Sequence, residues 1–135
     1  LRRRLFHQGL ANLKEQTMTK FKIKRVYESA EEEDGFRVLC DRLWPRGIKK
    51  DALELDMWAK DITPSTEIRK LFAHKPENFA HFKELYLAEL EQNPAVAEFL
   101  KKVKNEPVVT LLYAAKDEHC NHAMILRDFL QSKVH

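Results

Sequence analysis

Val108-Val109-Thr110-Leu111-Leu112-Tyr113-Ala114-Ala115 is the stretch on which the fold turns. Its branched and aromatic side chains favour extended chain. The near-continuous apolar run suits a strand buried on both faces, as in parallel sheets. A parallel partner is reached by a long crossover, and the residues before 108 supply one. Thr63 with Pro64 predicts a helix start, with Thr63 as N-cap and an apolar stripe of Ile68, Leu71 and Phe72. Pro76 opens a second helix carrying Phe79, Phe82, Leu85, Tyr86 and Leu90. Asn93-Pro94 opens a third, with Val96, Phe99, Leu100 and Val103 facing inward. After the central strand, a last helix is predicted over roughly 118–133, burying Ile125, Leu126, Phe129 and Leu130.

Nearer the start, residues 21–27 alternate apolar and basic, which predicts a strand with one wet face. Residues 31–35, Glu-Glu-Glu-Asp-Gly, read as a solvated turn. Residues 36–40 predict a second strand and 55–59 a third, short one. The order of elements predicts an α/β domain: a small single-domain sheet, partly parallel, with covering helices.

The chain has 135 residues, 44% hydrophobic and 33% charged, which fits one folded domain and excludes a disordered chain. No apolar run approaches the ~20 residues of a membrane span. Two cysteines, Cys40 and Cys120, make no disulfide framework and fit a reducing, cytoplasmic setting. Residues 1–17 read as an N-terminal extension, disordered or an added leader, ahead of a single α/β domain over 18–135. They hold Arg2, Arg3, Arg4 and Lys14 against Glu15 alone, which accounts for the whole net charge of +3. The neutral remainder lacks the broad basic field of a non-specific nucleic-acid binder.

Ligands of α/β sheets gather beyond the carboxyl ends of the strands, and two polar clusters fall there. The first is Asp41-Arg42-Leu43-Trp44-Pro45-Arg46-Gly47. Arg42 and Arg46 are planar forks suited to carboxylate or phosphate, and Trp44 is a flat wall. An Arg–Asp pair pinning the loop, with Trp44 in the core, is the structural alternative. The second cluster spans 116–122, with Asp117, Asn121 and His122. Its helix start favours an anion. Asp117 or Asp41 could pair with His122 for acid/base work, and Asp117 could equally cap the helix. Ser65 and Arg69, one turn apart, form a third candidate. Cys40 reads as a buried structural thiol. No glycine-rich phosphate loop, redox-cofactor motif or zinc-ligand spacing is present, so neither cofactor nor metal is expected.

Arg42-Leu43-Trp44-Pro45-Arg46-Gly47, Pro64-Ser65 with Arg69, Phe72 and His74, Phe82 with Tyr86, Glu89 and Leu90, residues 110–117, and Asn121-His122-Ala123 together resemble the YeaO-like family, domain of unknown function 488. The resemblance implies a compact prokaryotic α/β domain and supports Asn121 and His122 as site residues. It supplies no substrate, cofactor or mechanism. Residues 1–17 fall outside it.

The reading reached is a domain with an anion pocket. Arg42, Trp44, Arg46, Ser65, Arg69 and Asn121 would bind ligand, and His122, Asp117 and Asp41 would form a catalytic group. Its ligand would be a small anion, a nucleotide among the options, and hydrolysis or group transfer the natural chemistry if any occurs. A nucleic-acid accessory domain or a non-catalytic interaction module are the alternatives. Oligomeric state and catalysis itself stay open.

Overall fold

The computed structural model describes residues 18–134, and the readings of residues 1–17 lie outside them. Four strands form one sheet: β1 (Lys20–Arg25), β2 (Phe36–Leu39), β3 (Met57–Trp58) and β4 (Val108–Tyr113), in the order β1-β4-β2-β3. Every pairing is parallel. The fold is thus the small α/β domain expected, with a sheet parallel throughout rather than in part. The apolar run of β4 lies second in the order, between β1 and β2, with Val38 opposite Leu111. It is buried from Val109 to Tyr113.

Among the described residues, four helices follow from the apolar stripes: α1 (Thr66–Phe72), α2 (Phe79–Gln92), α3 (Pro94–Val103) and α4 (His122–Lys133). Alternation along the strands divides the core in two. Phe21, Val38, Val109, Leu111 and Tyr113 meet the helices in one large cluster. Val26, Leu39 and Leu112 point to the opposite face and pack with Trp44, Ile48, Leu53, Leu55 and Trp58. None of the four helices contributes to that second cluster. The helices therefore cover one face, while the long segment between β2 and β3 helps cover the other.

Several boundaries differ from expectation, three of them for reasons visible in local contacts. Ser65, not Thr63, caps α1, its hydroxyl accepting from the Ile68 N–H at 3.5 Å. The Thr63 hydroxyl is spent on the Lys60 carbonyl at 2.7 Å, closing a 3-10 turn over Lys60–Ile62. Asn121, not Asp117, caps α4, which begins four residues later than predicted. Asp117 accepts from the N–H groups of His119 and Cys120 instead, a tight turn that competes with helix. β3 shrinks to two residues, because Leu55 is used in packing the second cluster.

The acidic run 31–35 is not wholly solvated. Asp34 is only 2% exposed and Arg37 only 1%. The two are ion-paired, with Lys24 on the other carboxylate oxygen at 3.0 Å. Arg37 also donates to the Glu54 carbonyl at 2.7 Å. Gly35 ends the turn at φ +65, where a Cβ would collide with the Val108 carbonyl. That close approach seats the turn against β4, and the Thr110 hydroxyl donates to the Asp34 carbonyl at 2.6 Å.

Candidate functional site

β2 and β4 run side by side in parallel, so the loops at their carboxyl ends share one rim. Asp41 follows β2 and joins them directly: its Oδ2 accepts from the Ala114 N–H at 3.0 Å. Its backbone carbonyl accepts from the Trp58 indole N–H at 2.7 Å, tying β3 to the same corner. Asn121, 1% exposed, accepts from the Met124 N–H with its side-chain oxygen and donates to the Asp117 carbonyl with its amide. Those two bonds start α4 and set His122 at its first residue.

The His122 ring reaches back to β2. Its Nε2 lies 2.7 Å from the Cys40 carbonyl oxygen and 3.2 Å from Asp41 Oδ1. The carboxylate beside His122 is therefore that of Asp41. Asp117 lies in the exposed turn, where the Cys120 and His119 N–H groups hold its carboxyl below the usual range. Cys40 is fully buried, and its thiol donates to the Leu112 carbonyl at 3.3 Å. Burial, and next the Asp41 charge, push that thiol well up, so it stays protonated and is no nucleophile.

Cys40 Sγ, an Asp41 oxygen and His122 Nε2 all lie within 4.8 Å of one another, a grouping that the sequence spacing does not reveal. The nitrogen a metal would take is the one bonded to the Cys40 carbonyl. Ligation would require the ring to give up that bond.

Beyond this corner opens a cleft of about 650 Å³. Arg42, Arg46, Arg69 and Lys70 line it, against Asp41 as its one acidic residue among those described. Arg42 donates to the Pro64 carbonyl at 3.2 Å, bridging the β2 loop to the approach of α1. The apolar walls are Trp44, Phe72 and Phe82. Trp44 is half-buried, its N–H donating to the Ile48 carbonyl at 2.6 Å and its ring set edge-on to Trp58. It serves as wall and core together.

Of the expected residues, the cleft gathers Asp41, Arg42, Trp44, Arg46, Arg69, Asn121 and His122, and leaves out Ser65 and Asp117. The Ser65 hydroxyl caps α1, and its N–H donates to Glu89 Oε1 at 3.0 Å. Tyr86 keeps its hydroxyl in the core, on the Ile62 carbonyl at 2.6 Å.

Three residues near the cleft escaped the sequence reading. Arg25 donates to the carbonyls of Ala115 and Ala114, and so fixes the path after β4. Tyr27 lines the cleft and donates to the Arg46 carbonyl at 3.0 Å. Lys70 adds charge beside Arg69. A signal for the first two existed: they close and follow β1, a parallel neighbour of β4, so they arrive at the same rim. His74, which appears in the family resemblance but not among the candidate site residues, also lines the cleft.

Fold and rim together define a class: a small parallel α/β domain with a cationic cleft at the carboxyl ends of its strands. The chain belongs to the YeaO-like DUF488 family; the family model described as "Inactive DUF488-N3 subclade" matches residues 20–135. It is similar to Uncharacterized protein YeaO of Escherichia coli (strain K12), 52% identical over 109 residues, which cover 81% of this chain and 95% of that protein. It is also 40% identical over 115 residues to Uncharacterized protein Rv3073c of Mycobacterium tuberculosis, covering 85% of this chain and 97% of that one. Uncharacterized protein Mb3100c of Mycobacterium bovis matches to the same extent. No solved structure matches.

Proposed function

We propose that the cleft binds a small anion, a carboxylate or a phosphate, and that the domain is a ligand-binding module without turnover. The observation that carries this reading is the charge of the walls, with Arg42, Arg46, Arg69 and Lys70 facing one carboxylate. Among the described residues, no carboxylate or carbonyl pairs with the guanidinium of Arg46 or Arg69. A binding site keeps such forks free, whereas a structural network consumes them. The volume suits a small ligand. A flat group such as a nucleobase would meet Trp44. Asn121 contributes by holding His122 rather than by touching ligand. The family description uses the word inactive, which supports binding over hydrolysis or transfer. Among the described residues no helix is long and apolar enough to cross a membrane. Two free cysteines suit a reducing cytoplasm.

The His122–Asp41 contact favours a second reading, proton transfer in a hydrolase or transferase. Nucleic acid is the less favoured partner, because residues 18–135 carry no net charge.

The test is a titration with inorganic phosphate and with acetate, followed by amide chemical shifts in NMR. Shifts are expected around residues 41–46 and 121–123. Arg46→Ala and Arg69→Ala are each expected to weaken binding at least ~10-fold, the equivalent of about 1.4 kcal/mol, with the unfolding midpoint unchanged. Binding that survives both substitutions would remove the proposal.

A further inference from the structure

The proton on His122 can be placed from its neighbours, and its placement bears on what the cleft accepts. Nε2 faces two atoms that only accept hydrogen bonds, the Cys40 carbonyl oxygen at 2.7 Å and a carboxylate oxygen of Asp41 at 3.2 Å, and a third, Cys40 Sγ at 3.9 Å, whose hydrogen is directed to the Leu112 carbonyl. A ring nitrogen between two acceptors carries the hydrogen. Both acceptors are themselves fixed. Cys40 lies at the end of β2, its N–H donating to the Leu112 carbonyl at 3.0 Å, and the other oxygen of Asp41 is held by the Ala114 N–H. A neutral imidazole has one N–H, so Nδ1 keeps a lone pair. Among the described residues Nδ1 has no hydrogen-bond partner, and the ring lines the cleft. The side chain keeps 17% of its surface exposed.

A half-buried acceptor in a cleft walled by arginines is an unusual combination. The cations ask for negative charge, whereas a lone pair repels an anionic oxygen and asks for a donor. A bare anion satisfies the first group and leaves the second unmatched.

We infer that the ligand of this cleft is a hydroxylated anion, a hydroxy acid or an alcohol-bearing phosphate ester, with its hydroxyl donating to Nδ1 of His122 while the arginines hold its charge. This rests on the anion-binding reading and narrows it by chemical class. Ligands that supply the donor keep an advantage over those that do not, since a buried polar group left unmatched is destabilising.

Paired probes differing by a hydroxyl test it. Glycolate is compared with acetate, and glycerol phosphate with methyl phosphate, by NMR titration at pH 8. The hydroxylated member of at least one pair is expected to bind ~10-fold more tightly, and His122→Phe is expected to abolish that preference while retaining binding of the plain anion. On the unsubstituted protein, long-range proton–nitrogen correlation spectra are expected to show the hydrogen on Nε2 at pH 8. That measurement stands even where His122→Phe folds poorly. If the spectra place the hydrogen on Nδ1, or if both pairs bind without preference, the inference is overturned and the anion site survives. If none of the four probes binds, the anion site itself falls.

Discussion

Asp34 closes an acidic run that reads as solvent-facing, yet its carboxylate is sealed between Lys24 and Arg37. Burial pushes its carboxyl up. The Glu31 N–H, Lys24 and Arg37 together overcome that, so the group sits below its ordinary value of 3.8. Its unfolded form therefore binds protons first as pH falls, and the stabilisation it gives is present at neutral pH and drains away below 3.8. Asp34→Asn would leave Arg37 buried without its counter-charge. It is expected to cost about 3 kcal/mol at pH 7, with the gap to the unsubstituted protein narrowing at pH 3, both read from urea unfolding. Ala73 offers a change of opposite sign. It ends α1 at φ 51 and His74 follows at φ 56, two non-glycine residues in the left-handed region beside the cleft. Ala73→Gly is expected to raise stability by about 1 kcal/mol in the same assay.

At the level of elements, the interiors were legible, and so was the Asn93-Pro94 start of α3, but other ends were not. The stripe of Phe82, Tyr86 and Leu90 on α2 repeats every four residues, and all three are buried. Helix starts were ambiguous wherever two capping side chains stood within a turn of each other. Thr63 and Ser65 flank Pro64, and Asp117 and Asn121 flank a short turn. In each pair the first residue closes a local turn and the second starts the helix. Only the tertiary path decides which does which. Asn121 matters most, since it both starts α4 and positions His122. Asn121→Ala is expected to cost about 1 kcal/mol of stability in denaturant unfolding. It should also reduce the preference for glycolate over acetate, although Asn121 is proposed to touch no ligand.

For the whole molecule, one apolar run was enough to predict a sheet at least partly parallel, because only a strand covered on both faces can be apolar at nearly every position. Less legible was which face the helices would take. Arg37 and Thr110 lie on the side that none of the four described helices covers yet are buried, so polarity there does not signal solvent. The cationic cleft was visible as two clusters, since strand ends of parallel neighbours must meet. The contributions of Lys70 and Tyr27 depended on how α1 and β1 dock. The strand order also ranks local stability. β4 is hydrogen-bonded on both sides and buried, whereas β3 is a two-residue edge. Amide hydrogen exchange is expected to be slowest at Val109–Leu112, opening only with global unfolding, and much faster at Ala59, just past β3. Comparable rates at the two places would contradict the ranking of the central strand above the edge one.

The edge-to-face packing of Trp44 on Trp58 at 5.4 Å has an optical side. These are the protein's two tryptophans, and one of them also walls the cleft. The indole of Trp58 is anchored to the Asp41 carbonyl, the residue that touches His122. Nearly all the long-wavelength emission of the molecule thus originates beside the ligand site. The chain carries its own fluorescent gauge of occupancy, readable without any added label.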